Sequence, residues 1–147
     1  MAWGRTTIEA MRFCLCLLAL SLGWACAADS LPGGTLRGKL SVRAGKVPAI
    51  ETPDRKLVAL DGDDSTLKIL HDQRLNGFAV EARGHFTGPG QFQIDPIHTR
   101  GLLVRQDGRL KMITYFCDVC NIRSFTPGPC VCCQKETALE LRDPDEQ

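Results

Sequence analysis

The chain has 147 residues, 44% hydrophobic, 24% charged and 6% aromatic, an ordinary globular composition too short for two full domains. Its formal net charge is +1, and residues 1–27 hold two of the 18 basic groups and one of the 17 acidic ones, so 16 of each remain beyond them. That balance excludes a general nucleic-acid binder, which needs a basic excess to displace counterions from phosphates.

Residues 1–27 read as a cleaved signal peptide. Arg5 and Arg12 precede the apolar run Phe13 to Leu20, and Ala25-Cys26-Ala27 places small residues before a cut after Ala27. The run falls short of the ~20 residues a membrane span requires. Leu22-Gly23-Trp24-Ala25-Cys26 loosely resembles a lipobox, so lipid attachment at Cys26 is the second reading. Both predict an exported protein, periplasmic or extracellular, and the second adds membrane attachment.

Residues 28–33 form a flexible leader with turn residues. Strand signals come next. Leu36, Leu40 and Val42 fall at even spacing, and Lys56 to Leu60 is a second run closed by the turn Asp61-Gly62-Asp63-Asp64. Leu67 to Leu70 is a further short apolar run, and no window shows a helical period of useful length. Phe78, Val80 and Ala82 alternate with charged neighbours up to the turn Thr87-Gly88-Pro89-Gly90, and Gln91 to Ile94 alternates again. Leu102 to Arg105, Gln106-Asp107-Gly108-Arg109 and Leu110 to Phe116 read as strand, tight hairpin turn and strand. Short strands spaced by Gly, Pro and Asp turns predict an all-β fold, a small OB-like antiparallel barrel over 34–116, with Gly38 and Gly84 letting strands coil at barrel corners.

The last strand runs into a cysteine-rich segment, 117–142, before a short disordered tail, 143–147. Cys117 and Cys120 form one C-x-x-C, and Cys130 and Cys133 form another after nine intervening residues. Two such turns can each aim two sulfurs at one tetrahedral ion, and Pro127-Gly128-Pro129 returns the second toward the first. Cys132 is an alternative or additional ligand. A disulfide framework is the competing reading, since exported chains usually oxidise their cysteines, but five thiols cannot all pair internally. Catalytic thiol exchange comes third, because no strand-helix pattern of a thioredoxin kind surrounds either pair. Asn121 and Gln134 stand where covalent haem attachment needs histidine. Zinc is the preferred ion, with iron and copper as alternatives; four sulfurs around zinc leave no open position, so the site would stabilise and not catalyse. No catalytic residues are predicted.

Other groups read as ordinary surface. His71, His85 and His98 are far apart and expected in solvent or in loop hydrogen bonds. Asp54, Asp61, Asp63 and Asp64 lack the spacing of a calcium loop. Arg100, Arg105, Arg109 and Lys111 cluster near the last hairpin as a sheet surface, with an anion-binding face the lesser reading.

In the stretches Tyr115 to Arg123 and Pro127 to Gln134, the chain resembles a group of uncharacterised exported bacterial proteins with an OB-like β-domain and a C-terminal CxxC…CxCC metal-binding motif. The resemblance implies a bacterial origin and a periplasmic or membrane-associated location, and supplies no activity. The chain also looks distantly like short cysteine-rich heavy-metal-binding modules in which a Pro-Gly turn precedes the second pair. The combined expectation is an exported, non-enzymatic metal-binding protein whose ion fixes a C-terminal loop onto a barrel that binds an unknown protein or small ligand. The alternatives are copper handling and thiol-disulfide exchange.

Overall fold

The computed structural model describes residues 33–145; the expected signal peptide and Cys26 lie outside them, as do nearly all of the expected leader and the last two residues of the expected tail. Nine strands are described: β1 Gly34–Ser41, β2 Ala49–Glu51, β3 Leu57–Asp61, β4 Ala79–Gly88, β5 Gln91–Ile94, β6 Leu102–Gln106, β7 Arg109–Cys117, β8 Ile122–Ser124 and β9 Ala138–Arg142. Two short helices, α1 Asp64–Leu70 and α2 His98–Gly101, interrupt them, with a 3-10 turn at Gln73–Leu75.

The first five strands close into an OB-like barrel in the order β1-β2-β3-β5-β4, with β4 returning to β1. One pairing departs from the expected antiparallel barrel: β3 runs parallel to β5, Leu60 opposite Phe92. The reason is α1, which carries the chain across the barrel between β3 and β4 and so reverses the sense in which β5 meets β3. The even-numbered residues of β1 point inward, Leu36 and Leu40 buried with Val42 beyond them, and meet Ile50, Val58, Leu60, Val80, Ala82, Phe92 and Ile94 in one core. Closure requires two close approaches. A Cβ on Gly38 would overlap the Glu51 carbonyl oxygen and Ile50, and one on Gly84 would overlap the Gln93 carbonyl, so each glycine sits where a strand bends against its neighbour.

The run at 67–70 belongs to α1, a correction to the strand-like reading. Asp63 caps the helix, its Oδ1 accepting from the Thr66 amide at 2.7 Å, and Thr66, Ile69 and Leu70 face the core. Two turns are too short for a visible period, yet the cap and the i, i+3, i+4 spacing are both present.

β6 and β7 extend the sheet from β4 outside the closed ring. Their connection is the tight turn expected, with Asp107 (φ 50°) and Gly108 (φ 76°) both left-handed. β7 joins the two halves of the molecule. One edge takes β6 and then β8, and the other takes β9 over five pairs from Met112–Arg142 to Phe116–Ala138. Ile113 and Tyr115 of β7 are buried in the barrel core, with Leu139 and Leu141 of β9 packed against it. The cysteine-rich segment is thus a three-stranded sheet that shares its middle strand with the body of the protein.

Candidate metal centre

Each C-x-x-C sits at the tip of a hairpin. In the first, Cys117 pairs with Ile122 across β7 and β8, and Asn121, immediately after Cys120, is left-handed at φ 53°. In the second, Pro129 bridges Glu136, and Gln134, immediately after Cys133, is left-handed at φ 60°. The backbone closes this second turn, the Gln134 amide donating to the Cys130 carbonyl at 2.9 Å and the Cys130 amide to the Lys135 carbonyl at 2.8 Å. The two loops therefore repeat one geometry, in which the left-handed residue turns the chain back so that both sulfurs of a pair face the same side. Gly128, at φ 139°, provides the bend between Pro127 and Pro129 that an L side chain would resist.

The sulfurs of Cys117, Cys120, Cys130 and Cys133 all lie within 4.8 Å of one another, and Cys117 and Cys133 are 3.5 Å apart. A tetrahedral ion with metal–sulfur bonds of about 2.3 Å has sulfur–sulfur edges of about 3.8 Å. The observed spread brackets that value, so the four cysteines could hold a metal ion with small side-chain adjustments. Among the described residues this is the one place where His, Cys, Asp or Glu side chains converge in this way. Cys117 and Cys130 are buried, Cys120 and Cys133 partly so, and all five cysteines among the described residues are free thiols. Cys132 is exposed and outside the group of four.

The thiols do not share charge evenly. Backbone amides of Cys133 and then Cys132 directed at the Cys130 sulfur bring its pKa down from 9.0 to about 7, against an opposing desolvation. Cys117 receives the Cys120 amide, which favours thiolate, but burial and the neighbouring thiols of Cys133 and Cys130 leave its pKa raised. Cys120 is pushed well up by the thiols of Cys132 and Cys133 and by burial. Cys130 thus ionises more readily than Cys117 and Cys120, which resist. A bound cation reverses that order, since coordinated thiols lose their protons outright.

Arg74 fastens this segment to the body, and two further contacts brace the segment itself. Arg74, on the 3-10 turn, lies over the buried Tyr115 ring at 5.1 Å, pairs with Asp72 at 2.8 Å and donates through Nη1 to the Thr137 carbonyl at 2.8 Å. The Thr137 hydroxyl donates to the Gly128 carbonyl at 2.8 Å, which ties the second knuckle to the start of β9. Arg123 of β8 pairs with Glu140 of β9 at 2.9 Å and stacks over Phe116 between them.

The other residues singled out in the sequence do not assemble. His71 is exposed at the end of α1, and His85 is half-buried in β4. His98 corrects the solvent or loop expectation: it is buried in α2, its pKa lowered by desolvation, and its Nε2 has no hydrogen-bond partner. Asp63 caps α1, Asp61 accepts from the Gly62 amide, and Asp54 pairs with Lys56, so the aspartates serve local turns. Arg105 and Lys111 are engaged by Glu81 and Asp143. The residue that sequence reasoning missed is Glu81. Read as an outward charge, it is buried at 3% exposure beneath Arg37, Arg83 and Arg105. Its signal was the cross-strand placement of an arginine opposite, Arg37, which becomes visible only with the register.

Fold and site together define an OB-like barrel joined by a shared strand to a four-cysteine double knuckle. Comparison of the chain with protein-family models, with curated proteins and with solved structures finds no match.

Proposed function

We propose that this is an exported, non-enzymatic zinc-binding protein, in which the ion holds the C-terminal segment against the barrel and so keeps a rigid surface for a partner or small ligand. The observation that carries the reading is the convergence of four sulfurs from two like-built knuckles within 4.8 Å. Zinc is favoured over iron and copper because a redox-inert ion with a closed sulfur shell suits a centre that stabilises. The mechanism is linkage: an ion that binds only the folded arrangement adds its binding free energy to that arrangement.

Native mass spectrometry of the protein purified from an exporting host, with elemental analysis, tests it. One zinc per chain is the expected result. A chain without metal and two protons lighter for each disulfide would replace this reading with an oxidised framework. Copper at one or more equivalents, preferred in competition under reducing conditions and loaded in the cell, would replace it with soft-metal handling.

A further inference from the structure

The face of β7 that turns away from the barrel borders a cavity that neither the core nor the knuckles use. Ile113 and Tyr115 point into the core, so Met112 lies on the opposite face, buried yet outside the core cluster. Around it Ile97 and His98 at the start of α2, Arg123 and Phe125 at the end of the first knuckle, and Arg142 of β9 line about 550 Å³, within the about 300–1,000 Å³ typical of small-molecule sites. Three features set this cavity apart. Ile97 and Phe125 are 59% and 49% exposed, large apolar side chains left in water. Ile97 also holds φ 72°, a left-handed conformation that a β-branched residue keeps only under constraint, here with its carbonyl accepting from the Arg100 and Gly101 amides at 2.9 and 3.1 Å. His98 is 8% exposed, and its buried Nε2 has no hydrogen-bond partner. The charged side chains on the lining are both arginines. Arg123 gives Nε to Glu140, and a guanidinium carries further donors beyond that one.

We propose that this cavity binds a small carboxylic acid with an apolar body, which lies along Met112, Ile97 and Phe125 while its carboxylate meets the two arginines. The lining decides between ligand classes. A purely apolar guest would desolvate Arg123 and Arg142 without adding a counter-charge, and a cation would repel them, whereas a carboxylate matches the planar fork of a guanidinium. A neutral imidazole can donate or accept, so Nε2 of His98 has a use for a second polar group on the ligand. This names the ligand class for the surface proposed above, and it rests on that reading because Arg123 and Phe125 belong to the segment between the two cysteine pairs.

Titration of the isotope-labelled full chain, as purified, with octanoate tests this by amide NMR shifts, with octanol and octylammonium as neutral and cationic controls. The expected result is saturable shifts at 97–99, 112–114, 123–125 and 142, with octanoate bound about tenfold tighter than octanol, the worth of a hydrogen bond to a charge. Octylammonium should not bind. Arg142→Gln should weaken octanoate about tenfold and leave octanol unchanged. Ile97→Gly should weaken both several-fold while its thermal midpoint stays level or rises, since glycine accepts the left-handed φ; a residue that only supported the fold would lower the midpoint. If Arg142→Gln does not fold, the ratio of octanoate to octanol affinity in the wild type decides the role of charge. Equal affinity for the two, shifts that fall away from the cavity, or undiminished octanoate binding in both variants would overturn the proposal. So would shifts at these residues driven by protein concentration alone, which would make the face a contact between copies of this chain. A chain that holds zinc and ignores octanoate loses this site and keeps the metal reading; one that binds octanoate without zinc loses the metal reading and keeps the site.

Discussion

At the scale of single residues, tight approaches and one buried charge set the constraints. Gly84 is the tighter of the two barrel glycines: a Cβ there would press on the Gln93 carbonyl more closely than one on Gly38 would on the Glu51 carbonyl, and a strand carbonyl cannot rotate aside. Gly84→Ala should cost about 1–3 kcal/mol, the range for overpacking, measured as a lowered urea midpoint with an unchanged slope. Glu81 presents a different case. Burial alone would raise its pKa, but the guanidinium of Arg37, bound at 2.8 Å, and that of Arg83 outweigh it and hold the carboxyl below 4.5. A depressed pKa means that the charged form is favoured by folding. Its contribution is therefore full above the ordinary carboxylate range and is lost as pH falls through the lowered value. Glu81→Gln should cost about 1.5 kcal/mol near pH 7, the low end for hydrogen bonds to a charge, because the three arginines are 41–66% exposed and screened by solvent. The stability gap between wild type and variant should close as pH is lowered through and below the ordinary carboxylate range. A gap that stays constant over that range would show that Glu81 acts through packing.

At the scale of elements, the cysteine sites were legible and several strands were not, for definite reasons. A C-x-x-C is a local signature whose spacing alone aims two sulfurs, so Cys117, Cys120, Cys130 and Cys133 stood out without any fold. β2 and β8 are three residues long and carry too few positions to show alternation. β9 was readable in principle, since Leu139 and Leu141 alternate with Glu140 and Arg142, but it lies within a segment whose cysteines dominate the reading. Closure of the barrel is a property of register, and neither the parallel β3–β5 pair nor the return of β9 to β7 is written in any one window. The joint between barrel and knuckles is likewise nonlocal, 63 residues separating Arg74 from the Thr137 carbonyl that it meets. Arg74→Ala removes a charged donor from a buried strand-end carbonyl and a cation from the Tyr115 face. The expected cost is about 2 kcal/mol, with faster amide exchange at 136–139 and little change in β1 to β5. Uniform acceleration across the chain would mean that Arg74 supports the barrel core and does not clamp the segment.

At the scale of the whole molecule, the question is what would remain without an ion at the four sulfurs. The core that unites Leu36, Ile50, Phe92, Ile94 and Tyr115 contains no cysteine, and the barrel closes on itself through β4 and β1. The double knuckle has little apolar material of its own. Val119 and Val131 are exposed at its tips, and of its residues only Cys117, Cys130 and Thr137 are buried. Such a loop cannot offset the conformational entropy of its ordering by burial, which is why metals and disulfides recur in small, core-poor elements. β9 differs, because five pairs with β7 and the packing of Leu139 and Leu141 hold it independently of the cysteines. Chelation of the metal-loaded protein should therefore untie 118–135 while β9 stays docked and the barrel stays folded. Hydrogen exchange followed by mass spectrometry should show peptides from that span losing protection after EDTA, those from β1 to β5 unchanged, and 138–142 changing little. Cys117→Ser should imitate chelation in the same peptides. Protection that falls throughout the barrel would make the ion a condition of the whole fold, and protection that falls nowhere would mean that the knuckles are held by the protein alone.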